Sequence, residues 1–564
     1  MKSKSKFDAI VIGSGISGGW AAKEFCEAGM NTLVLERGRD VKHQQDYPTA
    51  MADPWNLPHR GRLPKVVLDE NPIVDKCYAY DETTEHFFVK DTEHPYIQEK
   101  PFDWIRGYQV GGKSLIWARQ TQRWSPYEFE APARDGFAVD WPIRYNDLAP
   151  WYSHVEKFVG ISGNKDGIKH LPDGEFLPPW ELNCVEKHIQ KSVSEQYTDR
   201  QVIIGRCAHL TETNPIHLQQ GRGQCKARSL CYRGCPYGAY FSSNSSTLPW
   251  AAKTGKLTLR PFSVVHSIIY DEKSGKASGV RVIDSNTKEM IEYKARVIFV
   301  NAACLNSNLI MLNSTSNRFP NGLGNDSGVL GKYIAFHNYR GQGSAAYEGF
   351  EDQYYYGRRP TSAFMPSFRN VFKQETDFQR GYKVSCSASR LTGSGNIRHT
   401  DFGADFKEKA TKPGSWGIFI QMQGETVPTE SNHVRLSKTE KDLWGIPQII
   451  TSVGYTDNDV KVMKDFQTQA SEMLDTAGCK NIKMFDSHQN PGLDIHEMGG
   501  VRMGKDPKTS ILNKYNQVHS CKNVFVTDGA AMTSIGNQNP SLTFMALTAR
   551  AANFAIKEMK ALRL

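Results

Sequence analysis

No stretch of the chain approaches the roughly 18 consecutive apolar residues that a spanning helix needs, so no direct membrane span is expected. Runs of five or more Lys or Arg are also missing, and a net charge of +9 over 564 residues is mild. Nucleic-acid binding therefore has no electrostatic footprint behind it. Cysteine is sparse: eleven residues, an odd number and too dilute for a disulfide scaffold. The basic lead-in Met1–Lys6 passes through Phe7–Gly13 straight into a glycine-rich turn with no small-residue cleavage pattern, and reads as a solvated approach to a first strand instead of a signal peptide. Disorder is excluded by 39% hydrophobic and 23% charged residues. A chain this long has room for roughly two to four folding units with sizeable cores.

What is present begins with one complete βαβ unit. Phe7–Ile12 is a short apolar, β-branched run suited to a buried strand; Gly13-Ser-Gly15-Ile-Ser-Gly18 follows at once, then a helical pattern over Trp20–Ala28 closed by Gly29, and a second buried run at Thr32–Leu35 ending in Glu36. A lone GxGxxG is weak evidence, but here a strand precedes it, a helix follows, and an acid lies a short way beyond. Gly13 allows the tight turn, Gly15 lets backbone N–H groups approach a pyrophosphate at the helix N-terminus, and Gly18 lets helix and strand pack closely. Glu36 would accept hydrogen bonds from an adenosine ribose, with Arg37 beside it in the same candidate site. The competing reading is a glycine turn that holds no ligand, and the identity of the dinucleotide stays open at this point.

Residues 40–100 are rich in Pro, His and Asp and read as excursions from the Rossmann pattern. A helical period returns at Arg144–Val159, and strands are expected at Leu257–Leu259, Ser263–Tyr270 (which carries Val265, a further cofactor-site candidate), Gly279–Ile283 and Val297–Val300. Beyond Leu330, alternating segments such as Trp416–Gly424 and His433–Leu436 point to an inserted antiparallel sheet. Near the C-terminus, Asn523–Thr527 reads as a buried strand, Asp528-Gly529 as its turn and Pro540–Leu547 as the start of a helix.

The Gly13–Glu36 fingerprint, the segment Gly111-Gly112-Lys113-Ser114-Leu-Ile-Trp117, His496 in HEMGGVRMG, and Asp528-Gly529 followed by Asn539-Pro540 together resemble the glucose–methanol–choline (GMC) family of FAD oxidoreductases, over residues 7 to 556. The resemblance implies FAD as the dinucleotide, a Gly-Gly segment over the flavin ring, and a catalytic pair that falls here on His496 and Asn539. Its chemistry is coherent. Oxidising an alcohol by hydride transfer to flavin N5 requires removal of the hydroxyl proton, a task for a histidine, while an amide donor holds the same oxygen. The helix after Pro540 would aim its positive end at the flavin pyrimidine edge. A satisfied structural histidine is the competing reading of His496, and a plain N-cap that of Asn539. Some sugar-oxidising relatives attach FAD covalently through a His just before the Trp of the Gly-Gly segment; Ile116 stands there, so the FAD is expected to be non-covalent.

Three cysteines, Cys225-x5-Cys231-x3-Cys235-Pro236, fall in a Gly-, Arg- and Tyr-rich loop. Thiolates so spaced suit an iron–sulfur cluster, and three ligands favour the 3Fe-4S type, with Cys207 as a candidate fourth ligand. A zinc site, a local disulfide and unligated thiols are the alternatives. The spacing resembles the catalytic subunits of bacterial FAD-dependent sugar dehydrogenases. That resemblance implies a dehydrogenase passing electrons through the cluster to a cytochrome c, and a small companion subunit whose export signal carries the chain to the periplasm; without a partner the chain would be cytoplasmic. The opening GSGISGGWAAKE, Thr49–Met51 and the cluster loop look most like glucoside 3-dehydrogenases, which implies a sugar substrate oxidised at C3 to a 3-keto product. Glucose C1 or polyol oxidation, an O2-using oxidase of the family and a non-catalytic flavin electron carrier are the alternatives. Gln421, Gln423 and Glu425 share one strand face and are candidate sugar contacts. The expected fold class is α+β / α/β: a Rossmann-like FAD-binding domain assembled from segments 1–60, 101–130, 245–330 and 485–564, with a substrate domain of 61–100, 131–244 and 331–484 that carries an antiparallel sheet and an iron–sulfur loop at 221–240.

Overall fold

The computed structural model describes residues 2–353, 359–391 and 400–564. Its first sheet has seven strands and grows out of the N-terminal βαβ unit. Phe7–Ile12 lies within the strand Lys2–Ile12, which pairs in parallel with Thr32–Leu35 on one side and Met290–Val300 on the other. Leu257–Arg260 extends the sheet beyond the first of these and Val524–Val526 beyond the second, both again in parallel. The antiparallel strands Lys276–Asp284 and Ser263–Asp271 complete it. Register places Leu35, Ile12, Val300 and Val526 side by side. These are the carboxyl ends of four parallel strands, the edge at which such sheets bind ligands.

Two helices cover that edge from one face. Ile16–Glu27 starts at the turn itself, with Gly15 as its N-cap, four residues earlier than the periodicity predicts. The C-terminal helix Ser541–Lys560 packs against it. Ala21 and Ala22 share a buried core with Ala551, Ala552 and Ala555, above Val11, Val34 and Phe299 of the sheet. Small side chains at the crossing let the two helices approach closely, so the N-termini of both reach the same cavity.

The second seven-stranded sheet is antiparallel throughout, in the order Lys480–Asp486, Gly341–Tyr347, Trp416–Glu425, Tyr382–Arg390, Ala363–Met365, Ile203–Ile204, with His337–Asn338 pairing onto Trp416–Glu425. Alternation along Trp416–Glu425 sends Ile418, Ile420 and Met422 into a core with Val462, Phe466 and Met473 of the helix Asp457–Thr476. Phe419, Gln421 and Gln423 point the other way. A five-stranded sheet, from Met498–Gly500 through Lys332–Ala335 to Ile97–Gln98, joins the two. The whole is a mixed α/β architecture with several sheets, as the sequence leads one to expect. Among the described residues no helix is long and apolar enough to cross a membrane.

Candidate active site

One cavity of about 720 Å³ runs from the Gly13 turn to the polar face of the antiparallel sheet. Its volume is in the range of small-molecule sites. Gly13 adopts φ +95°, and a Cβ there would fall 2.3 Å from the Asn301 carbonyl oxygen; a Cβ on Gly18 would fall 1.9 Å from the Gly13 carbonyl oxygen. Gly13 and Gly15 line the cavity, whereas Gly18 lies behind it and sets the helix–turn packing. Glu36 also lines it. Its Oε2 accepts from Ser14 N at 3.2 Å and from Ser14 Oγ at 2.6 Å, and its Oε1 accepts from Gly38 N at 3.0 Å. Burial raises this carboxyl above the usual range in spite of those donors. Arg37, next in the wall, stacks 4.0 Å over the Tyr108 ring and 5.1 Å from Trp444.

The Gly-Gly segment forms the middle of the wall. Gly111 sits just outside the cavity, donating from N to Ser14 Oγ at 3.0 Å, so it ties this segment to the fingerprint turn. Gly112, Ser114 and Trp117 line the cavity, with Val265 from the strand Ser263–Asp271. Ser114 Oγ donates to the Gly111 carbonyl at 2.6 Å and Trp117 Nε1 to the Phe241 carbonyl at 2.9 Å. Asp528, Gly529 and Pro540 line it from the C-terminal segment. The Asp528 carboxylate accepts from Ser307 Oγ at 2.5 Å and Ala530 N at 3.0 Å, and burial pushes it up to about 6. Pro540 directly precedes the first turn of the long terminal helix, and with Ser541 it borders the cavity, so the positive end of the helix dipole faces the cavity.

His496 and Asn539 meet there, with His496 Nε2 and Asn539 Nδ2 3.5 Å apart. Two residues that the sequence reading missed flank them. His337 Nδ1 lies 3.0 Å from His496 Nδ1, and His337 Nε2 lies 2.6 Å from the Gly536 carbonyl. A carbonyl only accepts, so His337 carries its proton on Nε2; burial holds it neutral, with its pKa down to about 3. Its Nδ1 must then accept, which puts the His496 proton on Nδ1 and leaves the His496 Nε2 lone pair toward Asn539 and the cavity. Burial, His337 and the cations of Lys383 and Lys113 hold the His496 imidazolium well below the usual histidine range. The second unforeseen residue is Lys383, whose Nζ donates to Asn539 Oδ1 at 2.6 Å. Asp494 secures the histidine backbones, accepting from His337 N at 2.9 Å and His496 N at 3.2 Å.

The opposite wall is the polar face of the antiparallel sheet. Gln342 pairs across to Gln421 and Gln421 to Ser385, and all three line the cavity. Gln423 is one step further in, donating to the Asn537 carbonyl at 2.9 Å and accepting from the Tyr339 hydroxyl. Glu425 leaves the cavity altogether and forms a buried ion pair with Arg380 at 3.0 Å. Of the three carboxamide and carboxylate groups expected to meet a substrate, only Gln421 lines the cavity.

Cys225, Cys231 and Cys235 are free thiols in one partly exposed loop, close enough that charge on Cys231 and Cys235, after burial, helps push the Cys225 thiol up to about 11. Cys231 Sγ also lies 3.7 Å from His209 Nε2. Among the described residues, the only three Cys, His or carboxylate ligand atoms within 4.8 Å of one another are those of His337, Asp494 and His496, not those of the cysteines. A tetrahedral zinc with Zn–S of about 2.3 Å would draw its sulfurs to about 4 Å of one another, and these three sulfurs do not all lie within 4.8 Å. Cys207 is fully buried, bonded to Ser162 Oγ at 3.3 Å and pushed up to about 12. The loop abuts the Gly-Gly segment: Tyr240 donates to the Leu115 carbonyl at 2.7 Å, and Arg119, in the cavity wall, stacks 4.7 Å from Tyr232.

Comparison with known proteins gives the same picture. The GMC oxidoreductase N-terminal profile matches residues 7–337 and the C-terminal profile residues 428–548. The chain is 26% identical to 2-methyl-1,2-propanediol dehydrogenase of Mycolicibacterium austroafricanum, over 98% of this chain and 95% of that one. It is likewise 26% identical to the fructose dehydrogenase large subunit of Gluconobacter japonicus, over 98% of both. Among solved structures, pyridoxine 4-oxidase from Mesorbium loti superimposes with a TM-score of 0.61 at 16% identity, covering 97% of this chain and 98% of that one, which speaks to fold alone.

Proposed function

The chain belongs to the GMC oxidoreductase family, and from that premise we propose that it is an FAD-dependent sugar dehydrogenase that oxidises a secondary alcohol, the C3 hydroxyl of glucosides or disaccharides, to a ketone. The observation that carries the reading is the His496–Asn539 pair at the end of a cavity that begins at the dinucleotide fingerprint. The cavity fits FAD in its chemistry. The glycine turn is sterically reserved for backbone, Glu36 in the cavity wall is a carboxylate that could accept from a ribose, and Asn301 Oδ1 and Glu497 Oε1 in the wall are buried with no hydrogen-bond partner among the described residues. When bound, FAD supplies the hydride acceptor. Nothing at Ile116 can bond to it covalently.

The protein's own residues handle the proton. His496 Nε2, unprotonated and facing the cavity, accepts the substrate hydroxyl proton; the imidazolium so formed donates from Nδ1 to the neutral His337, a charge-assisted bond stronger than the one it replaces. Asn539 Nδ2 donates to the same substrate oxygen and fixes the C–H bond in one direction. The sheet face with Gln342, Gln421 and Ser385 offers paired donors and acceptors that suit the hydroxyls of a sugar.

We propose further that Cys225, Cys231 and Cys235 hold a 3Fe-4S cluster, which supplies one-electron transfer when present. The contacts of the cysteine loop with Leu115 and Arg119 support it as the exit for electrons from the cavity. A cytochrome c acceptor, a companion subunit bearing an export signal and a periplasmic location complete the proposal. The fructose dehydrogenase relative, itself called a large subunit, supports partner subunits.

The test is an anaerobic visible titration of the purified protein with glucose, lactose, methyl glucoside, fructose and 2-methyl-1,2-propanediol. The product ketone is located by NMR, and iron and O2 consumption are measured alongside. Bleaching of the flavin band by the glucosides, a 3-keto product, protein-bound iron and negligible O2 uptake are expected. Bleaching by none of the sugars overturns the substrate; rapid O2 uptake without iron overturns the dehydrogenase. Sugar-dependent reduction surviving in His496→Ala would refute the assigned base.

A further inference from the structure

Lys383 sits on the strand Tyr382–Arg390, two per cent exposed, in the wall of the cavity. No carboxylate among the described residues lies within ion-pair distance of its Nζ. Among the described residues the one hydrogen bond of Nζ goes to Asn539 Oδ1, and the Phe364 ring lies 4.9 Å away. The groups that face it are the neutral imidazoles of His337 and His496, with Gln423 paired to it on the neighbouring strand. A buried ammonium without a counter-ion is costly. Its place here calls for a task that an apolar residue of the same length would not perform.

The hydrogen bonds around it all run one way. Lys383 donates to Asn539 Oδ1, Asn539 Nδ2 faces His496 Nε2, His496 Nδ1 donates to His337 Nδ1, and His337 Nε2 donates to Gly536. The far end is fixed by a carbonyl that can only accept; at the near end Lys383 can only donate while it is protonated, and its neutral amine, still a donor, would no longer forbid the reverse orientation. We propose that Lys383 is a positioning residue that locks the Asn539 amide with its nitrogen toward His496, so that the pair presents one donor and one acceptor to the substrate hydroxyl. Turned over, Asn539 would offer a second acceptor beside Nε2, and a hydroxyl with a single proton cannot satisfy two acceptors and be deprotonated by one of them. The inference rests on the catalytic roles given above to His496 and Asn539.

The experiment compares Lys383→Met, Lys383→Arg and Asn539→Ala, and the double variant Lys383→Met/Asn539→Ala, as FAD-loaded proteins. Two readouts are taken: the rate of anaerobic flavin reduction by the alcohol that best reduces the wild type, and the affinity for a non-reacting substrate analogue followed by its perturbation of the flavin band. Lys383→Met should slow reduction roughly 10- to 100-fold, the usual range for losing a bond to a charged group, with analogue affinity changed less than about threefold. Lys383→Arg, which keeps a cationic donor, should recover most of the rate. In the Asn539→Ala background the Lys383→Met change should cost less than about threefold, because the amide to be oriented is gone. An unslowed Lys383→Met, or the same fold loss with and without the Asn539 amide, overturns the inference. Should Lys383→Met not retain flavin, the rates of Lys383→Gln and Lys383→Arg decide it on the same terms. A wild type that sugars leave oxidised but a diol reduces overturns the sugar reading instead, and the same comparison is then made with the diol.

Discussion

Replacing His337 with Phe tests the proton arrangement most directly. The side chain is wholly buried, and Phe fills a similar volume, so packing is largely kept. What is lost is the acceptor for His496 Nδ1–H at 3.0 Å and the donor to Gly536 at 2.6 Å. In the resting protein the first of these is a bond between neutral groups, of about 0.5–1.5 kcal/mol; in the proposed mechanism, as His496 takes up the substrate proton it becomes a bond to a cation, of about 1.5–3 kcal/mol. The transition state, part-way to imidazolium, therefore loses up to about 1–2 kcal/mol more than the ground state, a factor of roughly 5 to 30 in the rate of flavin reduction. The two unpaired polar groups left behind cost stability as well, about 1–3 kcal/mol each. Stopped-flow reduction at saturating substrate reads the first effect; thermal unfolding of the same preparation reads the second. A variant that keeps its flavin and is reduced within twofold of the wild-type rate would show that His337 does not hold the imidazolium, and the assignment of the His496 proton would fall with it.

Gly18→Ala forces a Cβ to within 1.9 Å of a backbone oxygen in the turn, so the ratio of flavin to protein absorbance is expected to drop at least tenfold, with the fold retained by circular dichroism. Cys231→Ser should lose protein-bound iron and slow reduction of a one-electron acceptor while leaving flavin bleaching by substrate near wild type; iron retained in full would remove this cysteine from the ligand set. Lys383 carries a stability signature of its own. Burial brings its pKa from 10.5 down to about 7. Above 10.5 the lysine is neutral folded or unfolded and costs nothing, whereas each unit of fall from there to about 7 removes roughly 1.4 kcal/mol of stability, and below 7 the penalty is constant. Lys383→Met should therefore melt higher than the wild type at pH 6–7, with the difference shrinking as the pH rises; a lower melting temperature across that range would contradict an uncompensated buried cation.

How much was legible in the sequence follows from how local each feature's cause is. Gly18 is dictated by a contact within one βαβ turn, and the strand–glycine–helix–strand pattern displays it in full; Gly13 is marked by the same pattern through its turn, although the atom that crowds it, the Asn301 carbonyl oxygen, comes from a distant strand end. Pro126–Asp135 forms a helix that hydrophobic period alone does not reveal, because Pro132 interrupts the reading while the Ser125–Glu128 capping box supplies the start. Asp457–Thr476 carries a comparable signal in the Thr456–Asp459 capping box. The spacing of Cys225, Cys231 and Cys235 is visible in the chain, but the histidine beside Cys231 is not.

The proposed catalytic pair sharpens the point. His496 and Asn539 were placed by resemblance, yet what decides their chemistry is His337, 159 residues before the first, and Lys383, 156 before the second. No local pattern records such pairings, since they arise where the edge of the antiparallel sheet meets the C-terminal segments. Glu425 shows the same limit from the other side. Strand alternation correctly put it on one face with Gln421 and Gln423, but the twist of a sheet turns successive residues on that face toward different surroundings, so Gln421 meets the cavity, Gln423 its back wall, and Glu425 the guanidinium of Arg380. Periodicity thus selects the face, and the neighbouring element selects the role. A lysine two residues into the adjoining strand, with nothing in its sequence context to mark it, can therefore be the group that sets the orientation of the proposed catalytic amide.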